Sequence, residues 1–247
     1  VKEIKPWVKV STCPVGKYKD TSRYSSRGWN AFHTVYQDPQ GWMGEGIQDQ
    51  IYPMMYFRQN NFYPFVLDWQ EQCNGRQIIP GLGIYFLHPD EGNWIRDVDR
   101  QINFIREHKL AGEAHYRAKY LMDNTQGIYD ELTENFYAHP ALQPAMPWLD
   151  NVPPSAPSGL KVISGKDGYT SLTWQAATDN DKMNAPRYVV YASDVYPVDT
   201  TRPENIIAQG IRGTEYIYAP LQPWNRKVYF AVTAVDRYGN EGKAVQE

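Results

Sequence analysis

The sequence predicts two unlike domains in one chain: an α/β region forming part of a (β/α) barrel, with about four β/α units, and then an all-β sandwich. Three observations predict it. Up to about residue 149, short apolar runs alternate with stretches whose apolar residues recur at helical spacing. From residue 158 to 247 only short alternating runs remain, separated by Gly, Asn and Asp turns. Between them, in "WLDNVPPSAPSGL", Pro153, Pro154 and Pro157 bar a regular ladder and stiffen the chain as a spacer would. The expected division is therefore 1–149, a linker at 150–157, and 158–247. A chain of 247 residues has material for one large core or two ordinary ones, and the change of composition favours two.

The elements of the first region follow in order. "IKPWVKVST" is a short apolar strand, and after a long loop "DPQGWM" starts a helix with Asp38 as N-cap and Pro39 as first helical residue. "GIQDQIYPMMYF" is the second strand. "NFYPFVLDWQEQCNG" is a helix with Phe62, Phe65, Val66 and Trp69 on one face and Gly75 as C-terminal cap. The third strand, "RQIIPGLGIYFL", places Gly81 and Gly83 on the same side of the pleat. In "GNWIRDVDRQINFIREHKLAG", Ile95, Val98, Ile102 and Ile105 recur at helical spacing, Asn93 can cap the start and Gly112 lies past the end. "GEAHYRAKYLM" gives a fourth strand, and "GIYDELTENFY" a fourth helix with Ile128, Leu132 and Phe136 on one stripe.

Repeated β/α units imply parallel strands with right-handed crossovers, in a doubly wound sheet or a barrel. No G-x-G-x-x-G or P-loop follows any strand, which argues against a nucleotide site, tilts the choice to a barrel and leaves no cofactor expected. A complete barrel takes about 250 residues, so these units are half of one. The expected partner is a missing N-terminal half upstream of Val1, or a second copy of the chain, covering the open edges.

Composition narrows the partners. The net charge is −3 and the basic residues are dispersed, so neither a nucleic-acid stripe nor a polybasic membrane anchor is present. No run approaches the ~20 apolar residues of a membrane span. Aromatic content is 14%, with 19 Tyr and 8 Trp, side chains that suit ligands with C–H faces and hydroxyls as well as cores. Cys13 and Cys73 match no metal spacing and read as free, mostly buried thiols. His88 and His115 form no metal spacing with any acid.

"IKPWVKVSTCPVG", "YQDPQGWMGEGIQDQIYPMMYF", "IIPGLGIYFL" and "HPALQPAMPW" together resemble the later strands of the glycosyl hydrolase-like family 10 proteins, bacterial TIM-barrel enzymes presumed to cleave glycosidic bonds. Gln48 departs from that family's apolar residue, and its early-barrel D-G-x-x-x-D segment has no counterpart. The resemblance implies a site at the carboxyl ends of the strands. There Ser11, Tyr56, Tyr85 and Arg117 are the expected substrate-binding residues, two phenols, a hydroxyl and a guanidinium able to stack on and hydrogen-bond a sugar, with Met54 and Met55 as packing beneath. Tyr56 and Tyr85 could equally be core.

Glycoside hydrolysis takes two carboxylates, one of raised pKa. Asp90, Glu91 and Asp123 are the best-placed acids, although helix-start and turn roles explain them as well. Asp49 and Glu113 begin their strands and read as structural. The catalytic pair is expected upstream of Val1, and the chain alone is expected to hydrolyse little.

The second region resembles a fibronectin type III domain, an immunoglobulin-like sandwich, with Trp174 and Tyr188 as core aromatics and Leu221 and Pro223 at its corner. Val228 stands where the corner tyrosine belongs, and Tyr229 points to the other face. The resemblance implies a spacer or docking domain beside a secreted glycosidase. Trp224 reads as an interdomain contact or a carbohydrate contact. Two function classes follow: half of an extracytoplasmic glycoside hydrolase acting on a poly- or oligosaccharide, or a non-catalytic carbohydrate-binding or scaffolding protein.

Overall fold

The computed structural model describes residues 1–24, 26–165, 168–181, 184–220 and 226–247. They form two compact units, Val1–Ala138 and His139–Glu247.

In the first unit, β1 (Ser11–Thr12), β2 (Gln50–Ile51) and β3 (Gln77–Ile78) pair in parallel, in sequence order. β4 (Gly81–Leu82) continues the track of β3 and pairs in parallel with β5 (Ala114–His115). Four parallel tracks thus lie side by side in chain order, with no reversal. The first three tracks each carry a proline, Pro14, Pro53 and Pro80, a residue that has no N–H to give the ladder and so shortens the assigned strands there. The carbonyls still serve: Met54 N–H donates to Pro14 O, Gly81 N–H to Pro53 O and Ala114 N–H to Pro80 O. Gly16 sits where a Cβ would come within 2.3 Å of Met54 O, so no side chain fits.

Helices cover one face of this sheet. α1 (Ala31–Val35) and α2 (Pro39–Gly44) lie between β1 and β2; α3 (Tyr63–Glu71) follows β2, α4 (Ile95–Glu107) follows β4, and α5 (Ala118–Met122) and α6 (Ile128–Glu131) follow β5. Asp38 caps α2 through its carboxylate, which accepts from Gly41 N–H, as expected. Phe65, Val66 and Trp69 of α3, Ile102 and Ile105 of α4, and Ile128 of α6 pack with Ile51, Met55, Ile78 and Leu82 of the sheet, all at most 1% exposed. Alternation turns Ser11, Cys13, Gln50, Tyr52, Met54 and Tyr56 to the opposite face, where they are exposed or half-buried. Cys13, expected to be buried, is therefore exposed.

Two caps differ from expectation. α3 ends at Gln72, so Gly75, in a left-handed turn at φ 73°, lies outside the helix. α4 has Trp94 at its N-cap position with no side-chain cap, so Asn93 does not serve. The last helical stretch changes character, with a π-turn over Leu132–Phe136.

The second unit is an antiparallel sandwich of two sheets. β6 (Ser158–Ser164), β7 (Thr170–Gln175) and β10 (Glu215–Tyr218) form one, in the order β10-β7-β6. β8 (Arg187–Ser193), β9 (Ile206–Ile211), β11 (Tyr229–Val235) and β12 (Val245–Gln246) form the other, in the order β12-β11-β8-β9. Leu172, Trp174, Tyr188, Val190, Phe230 and Val232 fill the space between the sheets, with the Trp174 and Tyr188 rings 5.3 Å apart. Val228 is half-buried against this core while Tyr229 packs on the opposite face. Leu221, Pro223 and Trp224 lie outside the described residues.

The unit boundary falls at Ala138/His139, ahead of the 149/150 division expected from composition. The reason is packing on the outer face of the four-stranded sheet. Leu142 lies against Val189, Tyr191 and Ala231, and Met146 N–H donates to Tyr238 O at 2.7 Å. The proline-rich stretch is likewise fastened: Ser155 N–H donates to Thr178 O at 2.9 Å, and Asn240 Nδ2 to Asp150 O at 3.0 Å.

Candidate functional site

The register of the parallel tracks decides which side chains meet at their carboxyl ends. Val15 bridges Met54, Pro53 O receives Gly81 N–H, and Gly81 pairs with Ala114. Two residues further on, Tyr56, Gly83 and Tyr116 lie abreast. Gly83 leaves the gap between them: a Cβ there would approach Tyr56 Cβ to 3.1 Å and Tyr56 Cα to 3.2 Å. Tyr56 and Tyr116 lean over that gap and stack, with ring centroids 5.1 Å apart and planes 24° apart. Tyr85 meets both edge-on, at 5.8 and 6.1 Å.

Tyr85 comes from a 3-10 turn, Ile84–Leu87, instead of the extended strand the sequence suggests, and its N–H donates to Tyr116 O at 3.2 Å. Tyr56 and Tyr85 are half-buried; Tyr116 is 49% exposed and offers an open ring face. Burial raises the phenol pKa of Tyr56 and of Tyr85, with the neighbouring Tyr116 adding to it in each case. Both therefore stay neutral near pH 7, and each hydroxyl can donate and accept.

Beside the tyrosines, the Arg58 guanidinium lies over Phe86 at 4.0 Å and Trp94 at 4.6 Å, and bonds Glu91 at 2.5 Å. Arg58 and Glu91 are the charges that bear on Tyr85, in opposite senses.

Of the four expected substrate-binding residues, the structure gathers two, Tyr56 and Tyr85. Arg117 follows Tyr116 at the rim, exposed, its guanidinium 5.9 Å from the Tyr120 ring. Ser11 does not join them. It pairs with Gln50, six residues before Tyr56 on the neighbouring track, at the amino-terminal end of the sheet. There it borders a polar group in which Lys9 Nζ and Gln50 Nε2 both donate to Gln77 Oε1, at 3.1 and 2.7 Å. Tyr116 is the member that sequence reading missed. Its signal, an aromatic two residues beyond Ala114 on the open side, becomes visible only once the strand register is known.

The candidate acids are occupied or remote. Glu91 is held by Arg58; Asp123 is paired with Lys119 one turn away on α5; Asp90 is highly exposed, beside His88. Asp49 is buried at 1% exposure, accepts from Val10 N–H at 2.7 Å and pairs with Lys2 at 2.6 Å. Glu113, with a carboxyl pushed up by burial, accepts from the Tyr137 hydroxyl. No group of three or more His, Cys, Asp or Glu side chains suited to a metal occurs among the described residues. The arrangement can stack an apolar ring face on Tyr116 and hydrogen-bond hydroxyls around it.

No family model matches the sequence. The chain is 29% identical over 262 aligned residues to the glycosyl hydrolase YngK of Bacillus subtilis, covering 99% of this chain and 50% of that protein. It thus spans about half the length of the curated relative it matches. Among solved structures, the glycoside hydrolase domain of Endo-D from Streptococcus pneumoniae aligns with 40% of this chain and 15% of that one, at 16% identity and a TM-score of 0.30. A fibronectin type III domain of human collagen XX aligns with 43% of this chain and 98% of that one, at 18% identity and a TM-score of 0.27.

Proposed function

We propose that this chain is the carboxyl half of a glycoside hydrolase acting on a poly- or oligosaccharide outside the cytoplasm. In this reading, the four parallel tracks are the later staves of a (β/α) barrel and the sandwich, of fibronectin type III kind, is a spacer or docking domain. One observation carries it: three tyrosines assembled at the carboxyl ends of the parallel tracks, in a chain similar over 99% of its length to a glycosyl hydrolase. The half-exposed face of the sheet supports the barrel, since parallel sheets are ordinarily covered on both faces. Further β/α units, from an N-terminal half or a second copy of the chain, would cover it.

Hydrolysis needs two carboxyl groups, one of them the proton donor; with Glu91 paired to Arg58 and Asp123 to Lys119, this reading assigns the acid pair to that other half. The test combines titration calorimetry of the chain against cello-, xylo-, chito- and oligogalacturonic hexamers with reducing-end release by the same samples. Saccharide binding without turnover is the expected result. Robust turnover by the chain alone would overturn the placement of the acids; no binding by any hexamer, or binding unchanged by Tyr116→Ala, would remove the tyrosines from the reading. The alternative, a non-catalytic binding or scaffolding protein, is favoured by the pairing of Glu91 with Arg58 and of Asp123 with Lys119, and predicts binding with no turnover even when the other half is supplied.

A further inference from the structure

Three loops leave the carboxyl ends of the second, third and fourth tracks, and one side chain ties two of them together. Gln126, on the loop between α5 and α6, donates from Nε2 to Leu87 O at 2.9 Å and to Gly92 O at 2.7 Å, and its Oε1 accepts from Trp94 N–H at 3.3 Å. An amide has two N–H donors and one carbonyl, and here all are used on the backbone of 87–94. No other side chain of that length offers the same set.

The backbone of Gln126 is itself unusual, with φ 55° and ψ 21°, a left-handed conformation that non-glycine residues adopt at a penalty. It is bracketed by Asn124 at φ 47° and Gly127 at φ 79°. Asn124 Oδ1 fixes the base of the turn by accepting from Tyr129 N–H at 2.9 Å. The chain adopts a costly turn, and the result is an amide delivered to the loop that carries Glu91 and Trp94.

That loop in turn holds the second track. Phe86, Trp94 and Glu91 grip Arg58, and Arg58 sits two residues after Tyr56. From the helical side, α4 secures the same segment: Gln59, left-handed at φ 50°, donates its N–H to Asp97 Oδ2 at 2.9 Å, and Gln101 Nε2 donates to Phe57 O at 2.9 Å. Asp97 and Gln101 are buried, at 8% and 3% exposure.

We propose that Gln126 is a positioning residue, which fixes loop 87–94 and through Arg58 the turn after Tyr56, so that the tyrosine site is formed before a saccharide arrives. The inference rests on the reading of that site as a saccharide surface. A preformed site spares binding the ordering of its loops.

The test uses the whole chain, as Gln126→Glu, which keeps size but has no donor, and Gln126→Gly, which relieves the left-handed turn and drops all three bonds. Fluorotyrosine labelling, assigned through Tyr56→Phe, Tyr85→Phe and Tyr116→Phe, reports the ring cluster by 19F NMR, and hydrogen exchange reports amides 86–94. Expected in both variants are moved or broadened Tyr85 and Tyr116 signals, exchange in 86–94 faster by about tenfold, and weaker affinity for the tightest hexamer, by about tenfold. Gln126→Gly keeps its melting temperature within a few degrees, which separates positioning from general instability. Unmoved ring signals, or a loosened loop with unchanged affinity, would overturn the proposal. If no hexamer binds the parent chain, the saccharide reading falls, and the ring signals alone decide: their movement in Gln126→Glu upholds positioning and their constancy ends it.

Discussion

At the scale of single residues, the site turns on an absence. Gly83 has φ −82°, so its value lies in space and not in backbone freedom. Gly83→Ala would press a methyl against Tyr56 and the Phe86 ring, 3.0 Å away; overpacking of this kind costs about 1–3 kcal/mol, measurable as a lower urea midpoint with loss of the Tyr56–Tyr116 stack. Tyr116→Ala, at a half-exposed position, should leave the urea midpoint nearly unchanged and weaken saccharide binding by about tenfold, read by calorimetry. Gln48 predicts a gain. Its Oε1 is buried with no hydrogen-bond partner among the described residues, so Gln48→Leu should stabilise the chain by about 1 kcal/mol in urea unfolding. That Tyr56 and Tyr85 lie together was legible in the sequence because both fall near the carboxyl ends of apolar runs. Tyr116 was not, because its place depends on the 33-residue offset between Gly81 and Ala114, a tertiary quantity.

Among elements, β5 carries a pH dependence. His115 pairs with Leu82 on the helix-covered side of the sheet, its Nε2 buried with no partner among the described residues, and burial lowers its pKa. The unfolded chain then binds the proton more readily than the folded one. Stability contributed by the neutral ring is present above the ordinary histidine value of about 6.5 and declines as pH falls from there toward the depressed value. Melting temperatures between pH 7 and 5 should drop in the parent chain and flatten in His115→Leu. The alternation of strands and helices was readable from periodicity, and the Asp38 cap from its place before Pro39, but the expected fourth strand "GEAHYRAKYLM" is extended only at Ala114–His115 and turns helical over Ala118–Met122. The ends of α3 and α4 were not readable: Gly75 and Asn93 have suitable chemistry, but the chain leaves the helix at Gln72 and enters at Trp94. Likewise "GIYFL" has strand composition, yet the track turns into a 3-10 helix at Ile84.

In the whole molecule, the second compact unit begins at His139, ahead of the proline-rich window, since prolines mark where ladders stop and say nothing of what an irregular segment packs upon. Leu142 and Met146 belong to the sandwich by contact. A fragment 139–247 should therefore be more stable than 158–247 by at least about 2 kcal/mol, the worth of one buried aliphatic side chain, judged from urea midpoints of the two. The sandwich, for all its regular strands, wears the lead-in segment as part of its outer wall. Whoever transplants this module onto another enzyme, by recombination in nature or by cloning, has to cut ahead of His139. A splice placed at the prolines would hand on a domain with one side stripped.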